Sequence, residues 1–449
     1  MCGMIITRSA DATYAGLQAM IHRGLLGRCQ VEAVEGEWHL GHVRLPIQGV
    51  SKNYDQPYHH GRWIILFVGE VFNFKELSPG AENDTAVVAE MWDALGIECF
   101  KHFDGFWSFA AVDVLSGELH VVTDYLAKKP LYIHRRPLSI ASEIRGIRAF
   151  SSSTPDQLFF SSVRKWGYHL GSHTPIAGIE KLRPFSYQIF NPRGEQIRED
   201  IYGALHPKEV DLRHAIEQSV ERRLISDIPV GMFLSGGLDS SIVFQIAKQI
   251  RPVSTICIEN DADEEFARLI APETVIIQLP SCAPMEIILD ANEGPQDLGS
   301  MMMQYHLAEA AAGAGHRVML SGDGADELFG GYRRANEYDS QMSDIFEELV
   351  HYHLPRLDKI MMRWTIELRC PFLSRPVIEG ALALPRTLRT GKLILKKLFS
   401  GILPDQILNR AKFPLKSTQV QRDGFAWSRK LCDIYEGMLT RAEEGSQWR

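Results

Sequence analysis

A short run of serines, glycines and one aspartate, residues 235–241, has the composition of a phosphate-binding turn. It reads Ser-Gly-Gly-Leu-Asp-Ser-Ser and follows the apolar run Val230–Leu234, which predicts a buried parallel strand. A helical pattern follows it, from Ile242 to Ile250. Glycines let backbone N–H groups approach a phosphate, and a helix N-terminus favours negative charge. The run therefore predicts an anion site at a strand–helix junction, the alternative being an ordinary glycine turn.

The carboxylates near this turn predict a metal ion beside the phosphates. The turn is not a Walker A loop, because no Gly-Lys-Ser/Thr follows it. A second turn, Ser-Gly-Asp-Gly-Ala-Asp-Glu from residue 321, brings three carboxylates into five residues, and a cation relieves their repulsion. We assign Asp239 and Asp326 to Mg²⁺, and Asp323 to a place beside the metal or the substrate. Helix capping by Asp323 or Asp326 is the alternative, and it is compatible with metal binding.

The second residue of the chain offers a different chemistry. If Met1 is removed, the Cys2 thiol lies beside its own α-amine, whose pKa is near neutral at about 8. Such an amine can serve as the general base for an N-terminal nucleophile. A cysteine at position 2 does not by itself indicate a nucleophile, so this role depends on the residues around it.

Two domains of different fold class are predicted to position the cysteine and the phosphate-site turns. Residues 3–141 contain recurring short strand patterns with two helical patterns, Ala12–His22 and Thr85–Leu95, which predicts an α+β domain with antiparallel sheets. From Val210 onward, apolar strands alternate with helices, which predicts an α/β domain with a doubly wound parallel sheet and a helical C-terminal part. Both phosphate-site turns then fall at the carboxyl ends of strands, where such sheets bind ligands. We place the two domains at residues 1–203 and 204–449.

Composition narrows the class of protein. A chain of 449 residues has room for two to four domains, and its net charge of −8 argues against nucleic acid or an anionic membrane as main partner. The seven cysteines show no metal-binding spacing, which favours a reducing compartment. Neither a membrane-length apolar run nor a signal peptide is recognisable. We predict a cytoplasmic protein.

Several motifs of the first half, taken together, resemble the class II glutamine amidotransferase domain over residues 1–190. The motifs are Met1-Cys2-Gly3, His22-Arg23-Gly24, Gly41-His42-Val43-Arg44-Leu45, Gln56-Pro57, Gly69-Glu70-Val71-Phe72-Asn73, Asn83-Asp84-Thr85, Phe103-Asp104-Gly105-Phe106-Trp107 and Asp124 to Tyr132. Their order and spacing make the resemblance specific.

The resemblance implies a role for five residues. Cys2 would be the nucleophile, and the Gly69 N–H would donate to the oxyanion. Arg44 would hold the α-carboxylate of glutamine, and Glu70 and Asp84 its α-ammonium. Solvated surface charge is the alternative for the three charged residues.

One position departs from the family pattern. The family has an asparagine before the glycine-glutamate pair as the second oxyanion donor, and this chain has Val68. Either another donor, for example from the loop Gly49–Asn53, replaces the asparagine, or the strand is offset by one residue.

The second half resembles the synthetase domain of the glutamine-hydrolysing asparagine synthetases, which contains the pyrophosphate loop of the ATP pyrophosphatases. The matching segments are 235–241, 321–332, 364–373, 392–396, 403–404 and 410–412. The resemblance implies that ATP and Mg²⁺ bind here, and that Lys412 lies over the reaction centre, a solvated loop lysine being the alternative. The implied ATP-binding residues are Leu234, Ser235, Gly236, Gly237, Asp239, Ser240, Ile258, Ser321 and Gly322.

The family implies a reaction with small-molecule substrates: aspartate, ATP and glutamine give asparagine, AMP, diphosphate and glutamate. No arginine occurs at 293–300, where contacts to the acceptor would be expected, so a different carboxylate is the alternative. β-Lactam synthetases and lasso-peptide cyclases use the same adenylation with an internal amine, but they commonly lose the cysteine that this chain keeps. A non-catalytic nucleotide-binding regulator is a third hypothesis, and it is disfavoured because Cys2, Asp239 and Asp326 are all present. A homodimer is an open alternative to a monomer.

Overall fold

The computed structural model describes residues 2–34, 38–259, 263–279, 285–331, 347–411 and 424–443. Its N-terminal half is built on two six-stranded antiparallel sheets. Their strands are β1 (Gly3–Thr7), β2 (Cys29–Val34), β3 (Trp38–Val43), β4 (Tyr58–His60), β5 (Trp63–Val71), β6 (Gly105–Asp113), β7 (Leu119–Thr123), β8 (Tyr132–Arg135), β9 (Leu138–Ala141), β10 (Ile179–Lys181), β11 (Ser186–Phe190) and β12 (Gln196–Ile201). The strand orders are β10-β8-β9-β1-β3-β2 and β12-β11-β7-β6-β5-β4.

The two sheets face each other across a shared apolar core. Alternate residues of β1 and β5, such as Met4, Ile6, Leu66 and Val68, all belong to this core, as the period of two along a strand requires. The helices of this half are α1 (Ala10–Ala19), α2 (Phe74–Leu77), α3 (Asp84–Leu95), α4 (Ile144–Arg148) and α5 (Gln157–Trp166). The predicted α+β class is confirmed.

The C-terminal half contains one five-stranded parallel sheet in the order β15-β14-β13-β16-β17. Its strands are β13 (Val230–Phe233), β14 (Ser254–Ile258), β15 (Val275–Ile277), β16 (Val318–Leu320) and β17 (Glu367–Arg369). The helices are α6 (Leu212–Arg223), α7 (Leu238–Ile250), α8 (Glu264–Ile270), α9 (Met285–Asn292), α10 (Leu298–Gly313), α11 (Ala325–Leu328), α12 (Leu354–Arg363), α13 (Arg375–Ala383), α14 (Arg386–Arg389), α15 (Leu393–Leu398), α16 (Asp405–Leu408) and α17 (Gly424–Glu443). The predicted α/β class with a helical C-terminal part is confirmed.

Several boundaries differ from the sequence prediction. Helix α7 begins at Leu238, four residues before the predicted start, so Asp239 and Ser240 belong to its first turn. Helix α1 ends at Ala19, because Met20 leaves the helical region with φ −106° and ψ 14°. Helix α10 starts at Leu298, where the Asp297 side chain accepts hydrogen bonds from the Gly299 and Ser300 backbone N–H groups. Residues 202–211, around the proposed domain boundary, form neither helix nor strand.

The hydrophobic core does not stop at that boundary. One cluster of buried residues runs from Phe67 and Trp107 in the first half to Ile216, Met232 and Leu320 in the second. The two halves therefore share apolar packing as well as a covalent link. Among the described helices, none combines the length and apolarity needed to cross a bilayer.

Candidate active sites

Cys2 directly precedes β1, a central strand of the first sheet, and its side chain packs against the core between the sheets. Its backbone carbonyl accepts a hydrogen bond of 3.0 Å from Arg23 Nε. Burial raises the pKa of the Cys2 thiol, while a hydrogen bond with the Leu45 backbone acts in the opposite direction. Deprotonation of the thiol therefore depends on a local base, as expected for an N-terminal nucleophile.

Arg44 lies close enough to the Cys2 thiol to interact with it electrostatically, but its guanidinium is already engaged. Nη1 donates to the Ser51 carbonyl at 2.7 Å and to Asp55 Oδ1 at 3.0 Å, and Nη2 donates to the Gln48 and Gly49 carbonyls at 3.1 and 2.6 Å. The four terminal N–H groups therefore hold the loop 48–55. Arg44 can bind a glutamine carboxylate only if this loop releases some of them.

The two acidic residues predicted to bind the α-ammonium, Glu70 and Asp84, lie close enough to interact electrostatically. Glu70 on β5 is buried, accepts a hydrogen bond from the Gln48 side chain, and lies 3.7 Å from Arg369 Nη2. Burial, with the charges of Glu367 and Asp84, holds the pKa of Glu70 well above its ordinary value. Asp84 accepts a hydrogen bond of 3.0 Å from the Val71 N–H, and burial raises its pKa to about 6. An incoming α-ammonium would stabilise the charged form of both groups.

At the predicted oxyanion position, strand β5 has Gly69 and the apolar side chain of Val68. Gly69 pairs with Trp107 across the sheet, and a Cβ at Gly69 would lie 2.2 Å from the Phe106 carbonyl oxygen, so only glycine fits. Val68 is 0% exposed and faces the same core as Cys2. The β5–β6 register is continuous over the whole of β5, so no bulge shifts Val68 relative to Gly69 within the strand.

Two N–H groups of the loop Gly49–Asn53, the alternative source of a donor, already have partners. The Gly49 N–H donates to Asp227 Oδ2 at 2.8 Å, and the Asn53 N–H donates to Ser51 Oγ at 3.2 Å. These two groups can therefore replace the missing asparagine only if the loop releases them.

This geometry predicts that Val68→Asn raises the kcat for glutamine hydrolysis at least about tenfold, because one oxyanion donor is typically worth 10²–10³ in rate. Glutamate release is measured with purified protein, and Val68→Leu, which is bulkier but has no donor, is the matched control. Efficient hydrolysis by the wild-type protein with no gain from asparagine would show that another group completes the oxyanion site.

The nucleotide site forms where β13 and β16 end. A cavity of about 450 Å³ opens there, and every predicted ATP-binding residue except Gly236 lines it. Gly236 lies in the turn itself, with φ 64°. The two turns touch, since a Cβ at Gly322 would lie 2.8 Å from both the Asp239 Cβ and the Ser240 nitrogen. Glycine at 322 is what allows this close approach.

Two basic residues of this cavity, Lys392 and Arg410, lie in segments that match the family, but the sequence alone assigns neither a role. The Lys392 ammonium contacts Asp239 and lies 2.5 Å from Asp326 Oδ1. Burial disfavours its charged form, but the two carboxylates outweigh burial and raise the pKa of Lys392. Arg410 Nη1 donates to the Ser235 carbonyl at 2.7 Å. Because a triphosphate needs nearby cations, basic residues in segments that match the family could have been predicted to contact the phosphates.

The two predicted metal ligands converge on one point, because both contact the same ammonium. Two carboxylates on the wall of a cavity, completed by phosphate oxygens and water, fit Mg²⁺. No group of three or more His, Cys, Asp or Glu side chains in the described ranges could hold a metal alone. Asp323 also lines the cavity, while Lys412 lies outside the described residues, so both assigned roles remain predictions.

Family models match both regions of the chain that contain these candidate sites. The family model "Glutamine amidotransferase domain" matches residues 1–202, and "Asparagine synthase" matches residues 211–349 and 339–442. An asparagine synthetase [glutamine-hydrolyzing] of Arabidopsis thaliana is 26% identical over 84% of this chain and 70% of its own length. A putative one from Methanocaldococcus jannaschii is 28% identical over 65% and 66%. Amidase chry2 of Gibberella zeae is 26% identical over 70% and 54%.

These matches span both halves of the chain and coincide with the two sites that the geometry defines. The chain therefore belongs to the asparagine synthase family, the ATP-dependent ligases that use glutamine.

Proposed function

We propose that this protein transfers ammonia from glutamine to a carboxylate that ATP has first activated as an acyl-adenylate. One observation carries the proposal: both glycine turns, Lys392 and two carboxylates lie around one cavity. The same chain has a cysteine directly before a central strand of another sheet.

In the first site, the Cys2 thiolate attacks the carboxamide carbon of glutamine, and the Gly69 N–H donates to the oxyanion. The α-amine of Cys2 takes the thiol proton and returns it to the leaving nitrogen, so that ammonia leaves, and water then hydrolyses the thioester to glutamate. Glu70 and Asp84 hold the α-ammonium, and Arg44 exchanges loop carbonyls for the α-carboxylate.

In the second site, an oxygen of the acceptor carboxylate attacks the α-phosphorus of ATP, and diphosphate leaves. Mg²⁺ held by Asp239 and Asp326 would neutralise charge on the phosphates. Lys392 and Arg410 add positive charge, and Ser235, Ser240 and the turn amides donate hydrogen bonds to phosphate oxygens. Ammonia then attacks the acyl carbon and AMP leaves. Delivery between the sites inside the protein keeps ammonia from being protonated by bulk water.

Aspartate is the first acceptor to test, because relatives from several organisms have the printed name asparagine synthetase. With aspartate, the products are asparagine, AMP, diphosphate and glutamate. We place the reaction in the cytoplasm, in keeping with the cysteine usage of the chain.

A different carboxylate is the second candidate, and an uncharged part of the cavity wall favours it. The described lining residues from α10, α12 and β17 carry no charge: Gln304, Leu307, Leu357, Met361 and Leu368. Arg356 Nε donates to Gln304 Oε1 at 3.1 Å, and since arginine can only donate, the N–H₂ end of the Gln304 amide is the end that can donate to a ligand. This wall suits an acceptor with an apolar body and one oxygen acceptor better than the two further charges of aspartate.

A panel of carboxylates decides between the candidates. Each acid is supplied with ATP, MgCl₂ and NH₄Cl, and release of AMP and diphosphate is measured, so that the result does not depend on glutamine. Release with aspartate alone supports asparagine synthesis, and release only with apolar acids that bear a carbonyl or hydroxyl supports the second candidate. Release with none of them contradicts the proposed amide-forming reaction for these acceptors.

The Gln304 side chain provides a sharper test of the second candidate. Gln304→Glu keeps the contact to Arg356 but replaces the donor by a carboxylate, so we expect kcat/KM for the acceptor to fall at least about tenfold, as for other lost hydrogen bonds to substrate. Leu307→Met, which conserves apolar volume on the same helix, is the control. An unchanged kcat/KM in Gln304→Glu would show that Gln304 does not contact the acceptor.

A further inference from the structure

A second, smaller cavity of about 40 Å³ lies between the loop that joins α5 to β10 and the segment that joins α9 to α10. Residues of both halves line it, among them His169, Lys181, Asn292 and Lys359. None of its described lining residues also lines the nucleotide cavity. Residues 293–296, where contacts to the acceptor were expected, line this cavity instead. The second cavity is therefore separate from both candidate active sites.

Lys181, on β10, places a buried ammonium in the wall of this cavity. The residue is 7% exposed, and its Nζ donates to the Val350 carbonyl at 2.7 Å. Because an ammonium has three N–H donors, two of them can still bind a ligand. Burial and the neighbouring charge of Lys359 lower the pKa of Lys181 to about 7, and the charge of Glu347 offsets this only in part. An anion beside the ammonium would stabilise its charged form.

The carboxylate in the described part of the wall, that of Glu293, is already bound elsewhere. Its Oε2 accepts a hydrogen bond from the Ile144 N–H at 3.0 Å, and its Oε1 accepts one from the Arg145 N–H at 2.6 Å. Lys359 Nζ lies 3.6 Å from Oε2, so this lysine has a carboxylate partner. Two lysines and one carboxylate leave the described wall with one net positive charge when its histidines are neutral. The charge that remains to be balanced is that of Lys181.

Several buried polar atoms of the wall have no hydrogen-bond partner among the described residues. They are both ring nitrogens of His169 and the side-chain oxygens of Asn292 and Gln296. The Asn292 amide has a defined orientation, because its Nδ2 donates to the Gly294 carbonyl at 2.8 Å and leaves Oδ1 as the acceptor. Buried polar atoms of this kind normally pair with water or a bound ion. A neutral histidine can donate through one ring nitrogen, so the wall offers both donors and an acceptor.

We propose that this cavity binds one inorganic phosphate ion, with Lys181 and His169 donating to its oxygens and its remaining hydroxyl donating to Asn292 Oδ1. The volume sets the size of the ligand: one water needs at least about 10–15 Å³, so about 40 Å³ accommodates a small ion but not a nucleotide. At neutral pH phosphate carries negative charge and at least one proton, which matches a wall with donors and an acceptor. The inference is independent of the proposed reaction, and its test needs no turnover.

Calorimetric titration of the full-length protein with sodium phosphate tests the site. The nucleotide cavity is first saturated with α,β-methylene-ATP and MgCl₂, because its glycine turns could also bind phosphate. We expect one phosphate to bind per chain. Sulfate has the same shape but no proton at neutral pH, so it should bind at least about tenfold more weakly, since Asn292 Oδ1 then receives no donor. Absence of phosphate binding, or equal binding of sulfate, overturns the inference.

Lys181→Met then assigns the bound ion to this cavity. Methionine has a similar length but no charge and no donor, so the affinity for phosphate should fall at least about tenfold, as expected for the loss of a charged hydrogen-bond donor. Lys165→Met is the matched control, because it removes a lysine of the same half from the exposed end of α5. That variant should bind phosphate like the wild type. A folded Lys181→Met protein with unchanged affinity overturns the assignment.

Two further titrations cover the remaining outcomes. If Lys181→Met does not fold, Gln296→Glu keeps the shape of the side chain but adds a negative charge to the wall, and it should weaken phosphate binding at least about tenfold. An unchanged affinity would contradict the site, and the comparison of phosphate with sulfate on the wild-type protein decides if neither variant folds. Glycerol 3-phosphate distinguishes the free ion from the phosphate group of an ester. Tighter binding of the ester than of phosphate overturns the assignment to the free ion.

Discussion

Replacing Cys2 by alanine should abolish glutamine-dependent product formation, by at least about 10³-fold, because removing a covalent nucleophile leaves only the binding and oxyanion contributions. The contact that positions residue 2 survives the change, since Arg23 binds its backbone carbonyl and not its side chain. The nucleotide cavity lies on the other sheet system, so synthesis from NH₄Cl should stay close to wild type. Product is measured with each nitrogen source at saturating ATP.

Cys2→Ser is the matched control for this prediction. Serine keeps a polar side chain of similar size, but an unactivated hydroxyl is a far weaker nucleophile than a thiolate. We expect it to be nearly as inactive with glutamine as the alanine variant. An alanine variant that still uses glutamine would disprove the role of Cys2.

Asp239→Asn should lower ATP cleavage by at least about 10²-fold, while glutamine hydrolysis remains. Asparagine has nearly the shape of aspartate, but Mg²⁺ loses one of its charged ligands and Lys392 loses one of its two carboxylates. AMP release and ATP–diphosphate exchange measure the loss, and glutamate release from the same preparation shows that the fold is intact.

Asp326→Asn is expected to give the same loss, since both carboxylates meet at Lys392. Two variants with the same defect would support a shared cation site. Near wild-type ATP cleavage by either variant would contradict the assignment of that residue to the metal.

The sequence was most informative where function requires particular residues at fixed spacing. The turns at 235–241 and 321–326 predicted a site at strand ends, and the structure brings them together on one cavity. The fold classes were also predictable, because alternating and helical patterns differ in period. The first residue of α7 was harder to predict. A loop turn and the first turn of a helix have the same polar composition, and only their backbone hydrogen bonds distinguish them.

What the sequence could not give are contacts between distant residues. Nothing near Arg44 indicates that its guanidinium binds the carbonyls of residues 48, 49 and 51 in this structure. The pair Arg23 and Asp358 is separated by 335 positions, and no local pattern relates them. Lys392 could be recognised as a family match, but its position between two carboxylates depends on three separate segments that meet in space.

The apolar core that runs through both halves limits how this protein can be cut and recombined. An isolated fragment of residues 1–203 would leave Phe67 and Trp107 without part of the cluster they share with Ile216 and Met232. Newly exposed apolar surface of that kind promotes aggregation. The fragment of residues 1–203 therefore cannot be fused unchanged to a synthetase domain from another protein. A chimaera needs either a transplanted partner surface or a redesigned, polar face where the two halves now meet.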